Sequence, residues 1–353
     1  MMILNNVVPM DNQTFPFVSC FSSWVLSLSK STATMDQLKK KHQNLYRVYM
    51  PVTGCGIAVL WNINDPTMDT CYCTSESKYL NWAMQYAGYE YETIINDKRN
   101  QQQFIQAIEE SIEKGQPVMA QGLIGSSWSL ITGYDEDIKT LYGWHQREWG
   151  IIENQADGYL ENGMFMKFNW YDTIQRIVIC KEKKKREKLS ASDIISHFVS
   201  VMEKEKVGDC IVGMPAFQKC IDVLADDSLF HNSNEQQLLQ LYKAVFYFCA
   251  SFAEARAFTG STIETSEFKK RINANDHVKW LLNQASIPCR SSHKIVYELW
   301  AVLGYDYNYE PEKYVARLKD LNVRNRVIEL VYQLRENDKV ALKCFKECCL
   351  CET

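Results

Sequence analysis

Cys20 sits in an apolar run, Ser19-Cys-Phe-Ser-Ser-Trp-Val-Leu-Ser-Leu, that follows Pro16 and predicts a buried helix with Ser19 as its N-cap. A thiol at a helix N-terminus is placed to become a thiolate, because unsatisfied amides and the helix dipole favour negative charge there. Such a thiolate attacks acyl or amide carbon when a histidine base stands nearby and a third group orients that base. The competing expectation for Cys20 is a small buried apolar residue, since free cysteines are among the most buried side chains. A second polar group, Asp135-Glu-Asp137, separates two strand-like runs, where short acids stabilise turn geometry. Trp128, Tyr134, Tyr142 and Trp144 surround it in sequence, a lining suited to a flat or apolar small molecule.

The chain holds 13 cysteines, an odd number, scattered along its length. Without an export signal the expectation is reduced, buried thiols rather than a disulfide framework. Two clusters carry soft donors: Cys71-Tyr-Cys73, and Cys344, Cys348, Cys349 and Cys351 near the end. Thiolates so spaced can hold zinc or copper(I). Neither cluster has paired C-x2-C spacing, and Cys344 and Cys348 lie one helical turn apart, as two core residues would. The preferred reading is no metal and no cofactor.

At 353 residues the chain is long enough for two domains. A net charge of −4 gives no basic field for nucleic acid. No apolar run approaches the ~20 residues a membrane helix needs. The N-terminus lacks a basic region followed by a long apolar core, so a cytoplasmic location is expected. Lys181-Glu-Lys-Lys-Lys-Arg-Glu-Lys188 reads as a solvated linker or helix start, where a first domain, 1–182, gives way to a second, 183–353.

Elements must position these residues. Ser75 to Ala87 has a helical apolar face and ends at Gly88, after which Tyr89-Glu-Tyr-Glu-Thr-Ile-Ile alternates as a strand. Phe104, Ile105, Ile108 and Ile112 mark an amphipathic helix stopped by Gly115. A strand, the strand Trp128-Ser-Leu-Ile-Thr-Gly-Tyr-Asp, an acidic turn and the strand Thr140-Leu-Tyr-Gly-Trp follow, then strand-like runs at 164–168 and 174–180. Residues 44–50 and 54–61 give mixed signals. After Ser192 the periodicity is helical, with helices expected at 237–258, 276–286, 293–303, 312–322 and 324–347. Segregated elements of this kind predict an α+β first domain with an antiparallel sheet, and an all-α second domain.

Several motifs in order resemble the N-terminal domain of the butirosin biosynthesis protein H family, a papain-like fold related to bacteriocin-processing cysteine peptidases of bacteria. They are Cys20 opening a helix, Gly54-Cys-Gly-Ile-Ala with Trp61-Asn, Ala87-Gly-Tyr-Glu-Tyr, Ser111-Ile-Glu-Lys-Gly-Gln-Pro-Val, Ile131-Thr-Gly-Tyr-Asp, and Leu141-Tyr-Gly-Trp. Gly213-Met-Pro-Ala-Phe and Glu254-Ala-Arg256 are similar to motifs of that family's helical companion domain. The resemblance implies a papain-like α+β domain with Cys20 as nucleophile and Gln13 as donor to the oxyanion. Aligned on Thr132-Gly-Tyr-Asp135, the position of the base falls near Ser127, beside Trp128, and that of the orienting residue near Gly143 or Trp144. His145 is adjacent, but neighbouring residues on a strand point to opposite faces. A complete Cys-His-Asp triad is therefore not identifiable. The expected function is binding of a small molecule or peptide between Cys20 and the 117–144 hairpin, at Ser127, Trp128, Tyr134, Asp135, Trp144 and His145. The alternative is a cysteine-dependent acyltransferase or amide hydrolase.

Overall fold

The computed structural model describes residues 1–5, 7–10, 15–29, 33–66, 68–74, 76–125, 127–146, 156–185, 189–304 and 311–351. In chain order the elements begin with β1 (Met2–Ile3), α1 (Pro16–Leu28), α2 (Met35–Thr53), β2 (Leu60–Trp61) and α3 (Glu76–Ala87). β3 (Tyr89–Ile95), α4 (Gln101–Glu113), β4 (Val118–Gln121), β5 (Trp128–Tyr134) and β6 (Thr140–His145) follow. Next come β7 (Gly158–Tyr159), β8 (Phe165–Phe168), β9 (Arg176–Lys183), α5 (Ala191–Glu203), β10 (Lys206–Val207) and β11 (Cys210–Val212). The chain closes with α6 (Met214–Ala225), α7 (Asp227–Asn232), α8 (Glu235–Ile263), α9 (Ser266–Arg271), α10 (Asp276–Leu303), α11 (Pro311–Lys319) and α12 (Leu321–Leu350).

The order is α+β with an antiparallel sheet, then a helical C-terminal region whose only strands among the described residues are the short pair β10 and β11. Two compact units emerge from the contacts, residues 1–49 with 80–187, and residues 50–79 with 188–353. The division is thus not a single cut, because 50–79 belongs with the helices that come much later.

In the first unit an antiparallel sheet runs β3-β9-β4-β5-β6-β8-β7, with β1 beside the far end of β5. Strand alternation sends Val118, Ala120, Ile131, Phe165 and Ile177 into one core with Phe104, Ile108 and Ile112 of α4. Trp128 and Leu130 fall on the other face, where Phe17 of α1 meets the Trp128 ring edge-on at 5.3 Å. Gly143 permits the close β5–β6 pairing, since a Cβ there would lie 2.1 Å from the Leu130 carbonyl oxygen.

Three expectations change. Ser19 is not the N-cap: Phe15 is, with Pro16 at the first helical position, where its missing N–H costs nothing. Residues 44–50, mixed in signal, lie within one helix, Met35–Thr53, whose last turn includes Pro51. The separate helices expected at 276–286 and 293–303 are one helix that continues through Pro288. Packing along both sides outweighs the lost hydrogen bond there.

In the second unit, a small sheet β10-β11-β2 accompanies the helices. Its centre is the fully buried Arg256 of α8. Arg256 Nε and Nη2 donate to Asp338 of α12 at 2.6 Å each, while Nη1 and Nη2 reach the Gly56 and Ile57 carbonyls at 2.7 and 2.9 Å. Thr259 Oγ1 donates to the same Gly56 oxygen at 3.0 Å. Only glycine fits at 56, because a Cβ would stand 2.2 Å from that hydroxyl. Arg324 plays a similar part at helix ends, donating to the carbonyls of Leu224, Leu318 and Lys319 and pairing with Asp227.

Among the described residues no helix is long and apolar enough to cross a membrane.

Candidate functional site

Because α1 starts at Pro16, Cys20 lies one turn inside the helix rather than at its mouth. The dipole advantage for a thiolate fades over that first turn. Cys20 is fully buried, and its thiol donates to the Ser129 carbonyl oxygen of β5 at 3.3 Å. Helix and strand therefore face each other as expected, with the thiol spent as a donor to backbone. Trp24, one turn further on, fixes α1 on the sheet by donating from Nε1 to the Pro117 carbonyl at 2.9 Å.

The strand places the sequence-derived residues on different surfaces. Trp128 is fully buried on the Cys20 side, and Trp144, opposite Leu130, shares that face. Ser127 precedes β5, where its carbonyl accepts from Gly122 N at 3.1 Å. His145 is opposite Ser129 and stacks on Tyr159, its Nε2 lying 2.7 Å from the Tyr159 hydroxyl. Its ring also meets Phe165 edge-on, so it turns to the α4 face, away from Cys20. Tyr134 joins the α4 core. Asp135 closes the β5–β6 turn, accepting at Oδ1 from Lys139 N at 2.8 Å and Thr140 N at 3.1 Å. Burial works against its charge, yet the hydrogen bonds from Thr140 and Lys139 hold its carboxyl below the ordinary value. Gln13 lies outside the described residues.

Four side chains that the sequence did not single out complete this neighbourhood. Arg176, Gln121 and Trp128 are register partners across β9, β4 and β5 on one face. The Arg176 guanidinium lies over the Trp128 ring, 5.3 Å from its centroid, and Nε donates to Gln121 Oε1 at 2.5 Å. Continuing the β5–β6 register puts Gln146 across from Trp128. Trp128 Nε1 and Gln146 Oε1 are both buried with no hydrogen-bond partner among the described residues. One is a donor and the other an acceptor, and each unmade bond costs about 1–3 kcal/mol. The fourth is His42 of α2, buried beside Tyr46, whose Nε2 lies 3.0 Å from the Ser19 carbonyl oxygen. A carbonyl only accepts, so Nε2 carries the proton and the basic lone pair is on Nδ1.

The four C-terminal cysteines share α12 and its end without converging. Cys348 is buried, Cys344 and Cys349 are partly exposed and Cys351 is exposed. Among the described residues no three histidine, cysteine, aspartate or glutamate side chains gather as they would around a metal ion.

Exposure orders the thiols. Iodoacetamide at neutral pH is expected to label Cys351 first, then Cys344 and Cys349, with Cys20 at least tenfold slower, as read by peptide mass spectrometry. Fast labelling of Cys20 in the folded chain would mean that the thiol leaves the Ser129 carbonyl and reaches solvent.

No protein-family model and no curated protein sequence matches the chain.

Proposed function

We propose that the first unit is a papain-like domain that binds rather than cuts, taking a neutral amide-bearing small molecule or peptide beside Trp128. One observation carries the reading: the indole N–H of Trp128 and the amide oxygen of Gln146 are opposite in the sheet, buried and, among the described residues, unmatched. A single ligand amide, accepting from the first and donating to the second, satisfies both. A carboxylate would gain from Arg176 but would set its charge against the Gln146 oxygen, so the neutral amide is preferred. The similarity to the butirosin biosynthesis protein H family supports the papain-like assignment, and a tryptophan near the position of the base supports loss of catalysis.

The test is a thermal-shift and calorimetric screen with capped dipeptide amides. At ~100 times Kd a ligand adds about 2.7 kcal/mol to stability. Trp128→Phe, which deletes only the N–H and part of the ring, is expected to weaken binding roughly three- to tenfold. Cys20→Ser is expected to leave binding intact. Equal affinity in Trp128→Phe, or no response to any amide, refutes the reading.

The second reading is thiol chemistry by Cys20, favoured by the buried His42 anchored at the neighbouring Ser19 carbonyl. It requires ligand effects to vanish in Cys20→Ser and a covalent adduct on that residue.

A further inference from the structure

The sheet of the first unit ends at β3, and among the described residues no strand lies beyond it. β3 pairs with β9 along its whole length, with one irregularity between Glu90 and Tyr91. Bonds at its two ends show which residues point inward. Lys184 N donates to the Gly88 carbonyl at 2.9 Å, and Asn96 N donates to the Gln175 carbonyl at 2.8 Å. By alternation the main chain of Glu90, Glu92 and Ile94 faces β9, and that of Tyr91, Thr93 and Ile95 faces out of the sheet. Of those outward groups only the Ile95 carbonyl has a partner among the described residues, Asn100 Nδ2 at 2.8 Å. The side chains divide as well. Ile94 enters the α4 core, and Glu90 and Glu92 on the same face pair with Lys184 and Lys181. Tyr91, Thr93 and Ile95 take the opposite face, where Ile95 is 66% exposed. An open edge that carries an exposed apolar side chain is a template for another strand.

We propose that β3 pairs antiparallel with β3 of a second copy of this chain, across a two-fold axis at Thr93, joining two sheets into one. The glutamates choose the register. In an isologous pair each residue meets the one equally far beyond the axis. An axis at Glu92 sets that residue against its own copy, and one at Tyr91 sets Glu90 against the partner's Glu92. Like charges directly opposite are destabilising. An axis at Ile94 gives up the pairing of Tyr91 with Ile95. At Thr93 the partner's Ile94 stands opposite Glu92 and the partner's Asn96 opposite Glu90, so no two acids meet. Thr93 then exchanges both main-chain bonds with its counterpart, and Tyr91 does the same with the partner's Ile95. The Ile95 carbonyl has a second lone pair for its bond. Each exposed Ile95 comes beside the partner's Tyr91 on one face, an aromatic–β-branched pair of the kind that stabilises sheets. The rival occupant is a basic peptide strand, which gains little because Lys184 and Lys181 already match the two glutamates. A contact of this length buries less than ~1,200 Å², so the dimer is weak and reversible.

The experiment is sedimentation velocity on the whole chain over a concentration series, with hydrogen exchange read residue by residue. A monomer–dimer equilibrium is expected by ~0.1 mM. In the dimer the amides of Tyr91, Thr93 and Ile95 gain protection, while those of Glu92 and Ile94, bonded to β9, are slow at every concentration. Ile95→Glu changes a largely exposed side chain, so it is expected to keep the melting temperature and weaken association roughly tenfold, the pair being lost twice. Adding Tyr91→Lys to that chain is expected to restore association. Residues 91 and 95 lie ~13 Å apart within one strand and meet only across the axis. Thr93→Lys, which brings two ammonium groups together at the axis, abolishes the dimer. The proposal is overturned if the chain is still monomeric at ~0.1 mM. It also fails if Ile95→Glu or Thr93→Lys dimerises like the parent, or if Tyr91→Lys does not restore the Ile95→Glu chain. Assemblies larger than two refute it too, because a two-fold edge closes on itself. Should Thr93→Lys fail to fold, Ile95→Glu with and without Tyr91→Lys still decides the matter.

Discussion

Arg256→Met is expected to lower the stability of the second unit by about 3–5 kcal/mol, measured by urea denaturation with helical circular dichroism as the signal. The guanidinium is fully buried and makes every bond its planar fork allows in that direction, two to Asp338 and two to the loop carbonyls of Gly56 and Ile57. Removing it leaves a carboxylate with no counter-charge in the core and two carbonyls unpaired. Burial pushes the Asp338 carboxyl up and the Arg256 charge opposes that push. The permanent guanidinium charge and its two hydrogen bonds to the carboxyl favour the carboxylate form. Arg256→Met with Asp338→Leu is therefore expected to recover most of the loss, since an apolar pair of matching volume replaces a buried ion pair at little cost. A double variant no more stable than Arg256→Met would show that the loop carbonyls, not the acid, account for the penalty.

The second large effect is a pH dependence in the same unit. His197 of α5 is buried, and desolvation lowers its pKa from 6.5 to about 4, outweighing a bond to the Thr53 backbone that raises it. The folded state thus holds the neutral ring while the unfolded chain protonates near pH 6.5. Above that value both states are neutral and stability is complete; as pH falls from 6.5 towards 4, only the unfolded chain gains the proton. The loss is about 3 kcal/mol between pH 7 and pH 4. The neighbouring glycine makes the site unforgiving: a Cβ on Gly54 would stand 2.5 Å from His197 Nε2. His197→Gln is expected to remove most of the dependence in that interval. An unchanged slope would place the titration elsewhere.

Much of the first unit's sheet could be read from residues 89–95, 128–145 and 176–180, where period-two alternation and aromatic density leave few alternatives. α2 was obscured by Pro51 and the glycines after it, which look like loop punctuation when viewed locally. The buried pair did leave a trace: Asp338 interrupts the apolar stripe Leu334–Ala341 on α12, and Arg256 interrupts Phe252–Ile263 on α8. An acid and a base each standing in a core stripe are candidates for one another. Cys20 facing β5 was legible from order alone. Its one-turn displacement into the helix was not, because Ser19 makes as plausible an N-cap as Phe15 makes an unpromising one. Arg176, Gln121 and Gln146 could not be chosen from sequence, since their meeting depends on the register of four strands.

The discontinuous second unit has a consequence for biosynthesis. Residues 50–79 leave the ribosome early, carrying Trp61 and the cysteines at 55, 71 and 73, but Asp338, which completes their anchor through Arg256, is made roughly 260 residues later. At ~5–20 residues per second that interval is on the order of ten seconds or longer. Throughout it, an apolar, thiol-rich stretch waits as a nascent tether without its final neighbours, so oxidant exposure and chaperone supply during translation bear on the yield of this polypeptide more than on its endurance once complete.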